Sequence, residues 1–245
     1  ALRTAIIEVA AAAKAHKKHI TLVIISTVLP GTSARELLPL LKDNAFVSYV
    51  YAPMFIAQGT VVEDTMNPEF CLLGVDKSDA RGVEESKRFY GEMHAMEKLR
   101  FMSVASAELT KVAYNVFLGL KIVAANSIME IAEHTGANCD DVTDALVKAT
   151  DRIISGRYMR GGMGDGGGCH SRDQIALSWL AQEQDLSFDL FGAMVKAREQ
   201  QTQFLAEIAQ MEAMKLNPQA KIMVLGKAYK RGTNLVVGSP AILLK

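Results

Sequence analysis

The feature that most constrains the fold is an alternation of short apolar runs with helical segments over residues 1–103. After an alanine-rich helix at residues 2–18, the run ITLVIIS is continuous and β-branched, as strands buried on both faces of a parallel sheet require. FVSYVYAP, CLLGVD and EKLRFMS are typical of further strands, whereas ARELLPLL, capped by Thr32 or Ser33, and SDARGVEESKRFYGEM are typical of helices. This alternation predicts a doubly wound α/β sheet, with ligands bound beyond the carboxyl ends of its strands.

The sequence beyond residue 103 has a helical pattern instead. A stretch without proline runs from residue 104 to Gly136, a plausible C-terminal stop, and predicts one long helix. Three more helical segments follow, and KIMVLG then predicts a strand that opens another α/β domain. The chain begins on a helix, without an opening strand followed by G-x-G-x-x-G. Both ends therefore look truncated, and we expect residues 1–103 to be part of an α/β domain, 104–218 a helical domain, and 219–245 the start of a second α/β domain.

Charge and cysteine content exclude several classes of protein. Lys plus Arg and Asp plus Glu both number 27, so no net charge steers the chain toward nucleic acid or an anionic membrane. Cys71, Cys139 and Cys169 are odd in number and scattered, which fits neither a disulfide framework nor a metal site. No apolar run reaches the length of a membrane span, and no secretory signal is present. We expect a cytoplasmic protein.

A glycine-rich loop, GGMGDGGGCHSRD, places Cys169 just before a predicted helix. Ser171 and Gln174 form a Ser-x-x-Gln capping box, so Cys169 would lie two residues ahead of the cap, where the helix dipole favours the thiolate. The glycines would let backbone N–H groups approach a substrate. The alternative is a flexible linker with an inert thiol, and Asp173 would then only stabilise the helix dipole.

Lys111 and Asn115 are spaced i, i+4 on the long helix and share a face. A cation beside an amide donor can stabilise a developing oxyanion. The alternative is an ordinary solvated polar face. Glu108, one turn earlier, is expected to form a surface ion pair of little energetic value.

These segments together resemble the UDP-glucose/GDP-mannose dehydrogenase family, in order and over nearly the whole chain. The matching motifs are STVLPGT, GTVVEDTMNPEFCLLG, AELTKVAYNVFLGLKIVAANSIMEIAE, GMGDGGGCHSRD and VLGKAYKRGTN followed by SPAI. The resemblance implies an α/β fold with a partial NAD-binding Rossmann domain, a helical middle domain with one long dimerisation helix, and the start of a second Rossmann-like domain.

The implied activity is an NAD-dependent, four-electron oxidation of a nucleotide sugar's C6 alcohol to a carboxylate. UDP-glucose to UDP-glucuronate is the simplest case, and GDP-mannose or a UDP-N-acetylhexosamine are alternatives. A nucleotide-diphosphate sugar and a second copy of the chain are the implied partners.

The resemblance also implies individual roles. Cys169 would be the nucleophile that forms a thiohemiacetal and then a thioester, Lys111 and Asn115 would stabilise oxyanions, and Asp173 with Thr27 would position or activate water. The implied substrate-binding residues are Phe55, Arg152, Gly164, Gly166, Gly167 and Lys230, and the implied cofactor-binding residues are Ser26, Thr27 and Gln58.

Several positions depart from the family pattern, among them Arg172 in place of a lysine and Asn234-Leu235 in place of an acidic pair. Met54 and Gln58 replace two glutamates, Asp165 replaces an aromatic residue, and Val237 replaces an arginine. Methionine cannot move a proton, so the acid/base role in thioester hydrolysis would pass to Asp173 or water. A catalytically impaired relative that keeps the dimer scaffold is therefore an alternative. A hydroxyacid or phosphogluconate dehydrogenase would share the plan but would have no need of Cys169.

Overall fold

The computed structural model describes residues 1–57, 59–156, 168–228, 234, 236–237 and 239–244. The chain divides into two compact units, Ala1–Leu120 and Lys121–Lys245. The division falls inside the long helix, so the domain boundaries after residues 103 and 218 stay predictions.

The first unit contains the four predicted strands in the predicted order, and also a short helix, Val61–Met66, that the sequence analysis did not predict. Its elements are α1 (Leu2–Ala15), β1 (Ile20–Ile24), β2 (Val47–Tyr51), α2 (Val61–Met66), β3 (Cys71–Val75), α3 (Ala80–Met93), β4 (Leu99–Met102) and the beginning of α4 (Val104–Thr135). The segment ARELLPLL is not an ordinary α-helix: Ser33–Leu37 is a π-helical turn and Leu38–Leu41 is a 3-10 turn that contains Pro39. Neither predicted cap forms, because Thr32 makes no side-chain capping bond and Ser33 lies inside the turn.

The four strands form one sheet in the order β1-β2-β3-β4. β1 pairs with β2 in parallel, Ile20 opposite Val47, and β3 pairs with β4 in parallel. β2 and β3 are antiparallel, so the sheet is mixed rather than wholly parallel. The connection between them carries only α2, which buries no residue, so the chain does not cross back along a face of the sheet.

Helices cover both faces of this sheet, as a doubly wound fold requires. One face packs α1 and the turns at residues 33–41 against β1, β2 and β3, through a core of Ile6, Ala10, Ile24, Leu37, Leu41, Tyr49, Tyr51, Leu72 and Ala107. The other face packs α3, through Val83 and Tyr90, against Val50, Ala52, Cys71, Leu73, Val75 and Leu99. The carboxyl ends of β1 and β2 lie side by side, and the loop that follows β2 lines the candidate site.

The long helix α4 is confirmed. It ends as predicted at Gly136, whose φ of +74° suits glycine, and the Ala137 N–H donates to the Ala132 carbonyl at 3.1 Å in a Schellman arrangement. By length and composition alone, Val104–Thr135 is long and apolar enough to cross a membrane, and only 6% of its most apolar window is buried. The expectation that no apolar run reaches the length of a membrane span is therefore wrong.

The second unit is helical in the part that the structure describes. It contains the rest of α4, α5 (Cys139–Val147), α6 (Gly168–Glu183), α7 (Leu190–Leu216) and α8 (Pro240–Leu243). The predicted strand KIMVLG does not form, since no described strand pairs with it and Met223 and Leu225 are 81% and 86% exposed. The capping box is also wrong, because α6 begins at Gly168 and Ser171 lies inside the helix.

Candidate active site

A cleft of about 290 Å³ lies in the first unit, between α4 and the loops that follow β2. Its walls include Phe55, Asp64, Glu69, Lys111, Tyr114 and Asn115. Lys111 and Asn115 line the same cavity, as expected for two residues whose i, i+4 spacing places them on one helix face. Phe55, the predicted substrate-binding aromatic, lines it as well.

Lys111 is the one cation among the residues that line this cleft. Only 8% of the residue is exposed, and its Nζ donates to the Met54 carbonyl at 2.8 Å. The ammonium also lies 4.4 Å from the centroid of the Phe55 ring, in a cation–π contact. Burial lowers the pKa of Lys111, so this amine gives up a proton more readily than a surface lysine.

Aromatic rings support the floor of the cleft. Phe55 packs against Phe70 and Tyr114, with both pairs of ring centroids 4.8 Å apart. The Tyr114 hydroxyl donates to Glu69 at 3.2 Å, and burial followed by the nearby charge of Glu69 raises the pKa of Tyr114. These tilted and edge-on ring contacts hold Phe55 under the Lys111 ammonium.

The loop that carries Gln58 is held by one carboxylate. Asp64 on α2 accepts from the Ala57 N–H at 2.7 Å and from the Thr60 hydroxyl at 2.8 Å. These two bonds, the backbone bond first, lower the pKa of Asp64. Gln58 itself lies outside the described residues, so its cofactor role stays a prediction.

The loop after β1 carries Ser26 and Thr27, which are exposed at the carboxyl end of the strand. Neither residue lines the cleft. Further along the loop, the Gly31 and Ser33 N–H groups donate to the Glu108 carboxylate at 2.6 and 2.7 Å. The expectation of a surface ion pair for Glu108 is wrong, because this residue is 1% exposed and binds backbone instead.

Two tyrosines on β2 complete the support of this loop. The Ser33 and Tyr49 hydroxyls are 2.7 Å apart, and the Val28 N–H donates to the Tyr51 hydroxyl at 3.4 Å. Burial raises the pKa of Tyr49 to about 12, and the negative charge of Glu108 also raises it. Both tyrosines are therefore neutral hydrogen-bonding groups at physiological pH.

The remaining predicted residues belong to the second unit. Arg152 is exposed in the turn after α5, and Asp173 is exposed on α6, where it accepts from Arg172 Nε at 2.8 Å. That bond lowers the pKa of Asp173. Asp173 lies in the second turn of α6 rather than the first, which does not favour the alternative in which it only stabilises the helix dipole.

Several predicted residues cannot be placed. The backbone of Cys169 lies in the first turn of α6, but its side chain is outside the described part of the structure. Gly164, Asp165, Gly166, Gly167 and Lys230 also lie outside the described residues. Val237 is described and exposed.

Three side chains that line the cleft, Asp64, Glu69 and Tyr114, were not predicted from the sequence, and Glu108 was assigned to the surface. Tyr114 stands three residues after Lys111, so helical spacing could have placed it on the same face. Glu108 could be found only from its contacts with residues more than seventy positions away.

Comparison with known proteins identifies the family. Residues 2–94 match the NAD-binding domain of the UDP-glucose/GDP-mannose dehydrogenase family, and residues 105–200 match its central domain. UDP-glucose 6-dehydrogenase of Rhizobium meliloti (strain 1021) is 30% identical over 226 residues, which are 91% of this chain and 51% of that protein. GDP-mannose 6-dehydrogenase of Pseudomonas putida is 29% identical over 230 residues, 91% of this chain and 50% of that protein.

Solved structures agree with these matches. A GDP-mannose dehydrogenase from Pseudomonas aeruginosa, solved as a ternary complex, superimposes with a TM-score of 0.88 at 26% identity, over 99% of this chain and 55% of that one. A UDP-glucose dehydrogenase from Pyrobaculum islandicum gives a TM-score of 0.56, also at 26% identity, with the same coverage. The chain thus spans about half the length of the relatives it matches. With both domain matches in the expected order, the chain belongs to the UDP-glucose/GDP-mannose dehydrogenase family.

Proposed function

We propose that the complete protein is an NAD-dependent nucleotide-sugar 6-dehydrogenase, with UDP-glucose as substrate and UDP-glucuronate as product. The observation that carries the proposal is the cleft beside the loop that follows β2, which Lys111 and Asn115 both line. Relatives named for UDP-glucose and for GDP-mannose are 30% and 29% identical, so identity does not separate these two substrates. UDP-glucose remains the simplest substrate to propose.

The residues of the first unit suit the nicotinamide half of a dinucleotide site. Ser26 and Thr27 are exposed where β1 ends beside β2, at the edge of the sheet where doubly wound folds bind cofactors. Their hydroxyls and the adjacent loop would hold the cofactor, with Gln58 as a further hydrogen-bonding group. NAD supplies the acceptor for the hydride that leaves C6 in each of two oxidation steps.

Lys111 and Asn115 would bind the oxygen on C6. A buried ammonium and an amide donor fixed on one helix face stabilise negative charge as it develops on that oxygen, without rearranging. Asn115 is exposed to the cleft, and Lys111 is held by the Met54 carbonyl and the Phe55 ring. The contacts of Lys111 support a donor that is fixed in position without substrate.

Cys169 would link the two oxidations. Its thiolate adds to the aldehyde carbon to give a thiohemiacetal, loss of a second hydride gives a thioester, and water then releases the carboxylate and the thiolate. The position of Cys169 in the first turn of α6 supports this role, since free N–H groups at a helix N-terminus favour a thiolate. Asp173 and Thr27 would position or activate the water.

Met54 is the observation that favours a second candidate, a catalytically impaired relative. Its carbonyl binds Lys111, and the residue also borders an apolar cleft of about 220 Å³ with Phe70 and Tyr90. No proton-transferring group stands at this position. The final hydrolysis would then be slow while the first oxidation proceeds.

A second copy of the chain is the proposed protein partner. Large apolar side chains of α4 are exposed, among them Leu109, Val116, Phe117, Leu120, Ile122 and Val123. A dimer that buries this face would account for the exposed apolar side chains of α4. Cys71 and Cys139 are both free thiols, which supports a reducing cytoplasm as the compartment.

A panel of nucleotide sugars tests the proposal. The complete gene product is incubated with NAD and UDP-glucose, GDP-mannose or a UDP-N-acetylhexosamine, and NADH formation and the sugar product are measured. We expect UDP-glucose to give the highest kcat/KM and the uronate as product. Folded protein without sugar-dependent NADH formation on any of the three would overturn the proposal. Carboxylate formed only from another sugar would correct the substrate and keep the reaction.

A further inference from the structure

Glu108 is a buried carboxylate without an ionic partner among the described residues. Each of its two oxygens accepts one backbone N–H, from Gly31 and from Ser33. No described Lys, Arg or His lies within 4.0 Å of its carboxylate. A buried charge is costly unless hydrogen bonds compensate it, so the two loop amides are its obligatory partners.

The loop that Glu108 holds is the one that carries Ser26 and Thr27. Gly31 has a φ of +85°, which glycine adopts without strain, and this turn aims its N–H at the carboxylate. Val28 and Ser33 are tied to the Tyr51 and Tyr49 hydroxyls on β2. The two shortest of the backbone contacts are those to Glu108, at 2.6 and 2.7 Å.

The same turn of α4 also holds the loop after β2. Lys111, three residues after Glu108, donates to the Met54 carbonyl at 2.8 Å. A single helical turn thus contacts both loops that follow the adjacent parallel strands β1 and β2. The distance between the two loops is set by the two side chains and the rigid helix between them.

We infer that Glu108 is a positioning residue, which holds the Ser26–Thr27 loop in register with Lys111 and so sets the affinity for the nicotinamide cofactor. This inference rests on the proposed function. Glu108 acts through the backbone of the loop, where it accepts from the Gly31 and Ser33 N–H groups. A carboxylate is required, because both of its oxygens accept and an amide can accept with only one.

The test compares Glu108→Gln with the wild type in the complete gene product. The amide group would keep one N–H contact and face the other with a donor, so the loop would loosen. We expect the KM for NAD to rise about tenfold, equivalent to about 1.4 kcal/mol of binding, while the KM for the nucleotide sugar stays within about twofold. Simple loss of folded enzyme would instead lower kcat and leave both KM values unchanged.

Glu130→Gln is the matched control. Glu130 lies on the same helix and also binds a loop, accepting from the Ser187 N–H at 3.1 Å and from its hydroxyl. The same substitution there should leave the KM for NAD unchanged. An equal rise in the KM for NAD in both variants would overturn the inference, because it would show that loss of any loop-binding carboxylate on α4 weakens cofactor binding.

Tyr51→Phe covers the case in which Glu108→Gln does not fold. It removes the acceptor of the Val28 N–H and leaves the Glu108 contacts in place, so we expect a two- to threefold rise in the KM for NAD. Hydrogen exchange at residues 26–33 is measured in every variant and should accelerate in both loop variants. Looser loops with an unchanged KM would overturn the inference.

The exchange comparison also separates this inference from the proposed function. A wild type that forms no NADH would remove the function, whereas unchanged exchange at residues 26–33 in Glu108→Gln would remove the positioning role.

Discussion

Replacing Lys111 with methionine removes a buried charge while most of the side chain's packing stays. In the proposed reaction, the loss of one oxyanion donor raises the barrier by about 2.7–4 kcal/mol, or roughly 10²- to 10³-fold in kcat. The effect on folding should be much smaller. The charged bond to the Met54 carbonyl is worth about 1.5–3 kcal/mol, but the methionine also avoids the burial of a charge that lowers the pKa of Lys111. We expect a net change in unfolding free energy of about 1 kcal/mol or less.

The assay pairs steady-state kinetics with urea unfolding. Lys121→Met is the control, because Lys121 is exposed on the same helix and should tolerate the change in both measurements. A Lys111→Met variant that keeps a tenth or more of the wild-type kcat would refute the catalytic role. A loss of about 3 kcal/mol of stability or more would instead show that Lys111 is mainly structural.

The pH dependence of the unfolding free energy provides a second test, which compares the Lys111→Met variant with the wild type. Burial lowers the pKa of Lys111 below its usual 10.5, so between the folded-state pKa and 10.5 the unfolded chain binds more protons. Wild-type stability should therefore gain a contribution as pH rises through that window. Lys111→Met should lack this contribution, and identical pH profiles would contradict the buried environment.

Three further predictions concern packing, capping and hydrolysis. A methyl group at Gly74 would lie 2.7 Å from the Ala107 Cβ, so Gly74→Ala should cost about 1–3 kcal/mol in urea unfolding; Gly91→Ala, which meets only a flexible methionine sulfur, should change stability by about 1 kcal/mol or less. Asp79 caps α3 by accepting from the Gly82 N–H at 2.9 Å, so Asp79→Ala should cost about 1 kcal/mol, and an unchanged thermal midpoint would contradict the capping role. If hydrolysis limits turnover, Met54→Glu should raise kcat by at least tenfold and abolish any burst of NADH, because a proton-transferring group is restored.

Periodic patterns predicted most of the first unit and the long helix. Continuous apolar runs mark buried strands wherever the fold places them, so β1 to β4 follow from local composition. The continuous apolar run KIMVLG also predicted a strand, and this prediction is wrong. A strand needs a neighbouring strand to pair with, and none of the described residues supplies one. The antiparallel pairing of β2 with β3 could not be predicted from local sequence either, because it depends on the path of the connection between the two strands.

The site was predictable where side chains share a helix face and not where distant segments meet. The spacing of Lys111 and Asn115 is a local property, and both line the cleft. The burial of Glu108 depends on a loop more than seventy residues away, and a charged residue on a helix otherwise suggests a solvated surface. The apparent capping box at Ser171 failed because α6 begins one turn earlier, at Gly168.

The most direct test of the central claim is the number of NADH molecules formed for each nucleotide sugar consumed. Two oxidations linked by a cysteine predict two NADH and a carboxylate product in the wild type. Cys169→Ser should lose this product, whereas Cys139→Ser, which alters the free thiol on α5, should keep it. One NADH with a stable aldehyde, or an unchanged yield in Cys169→Ser, would contradict the proposed reaction.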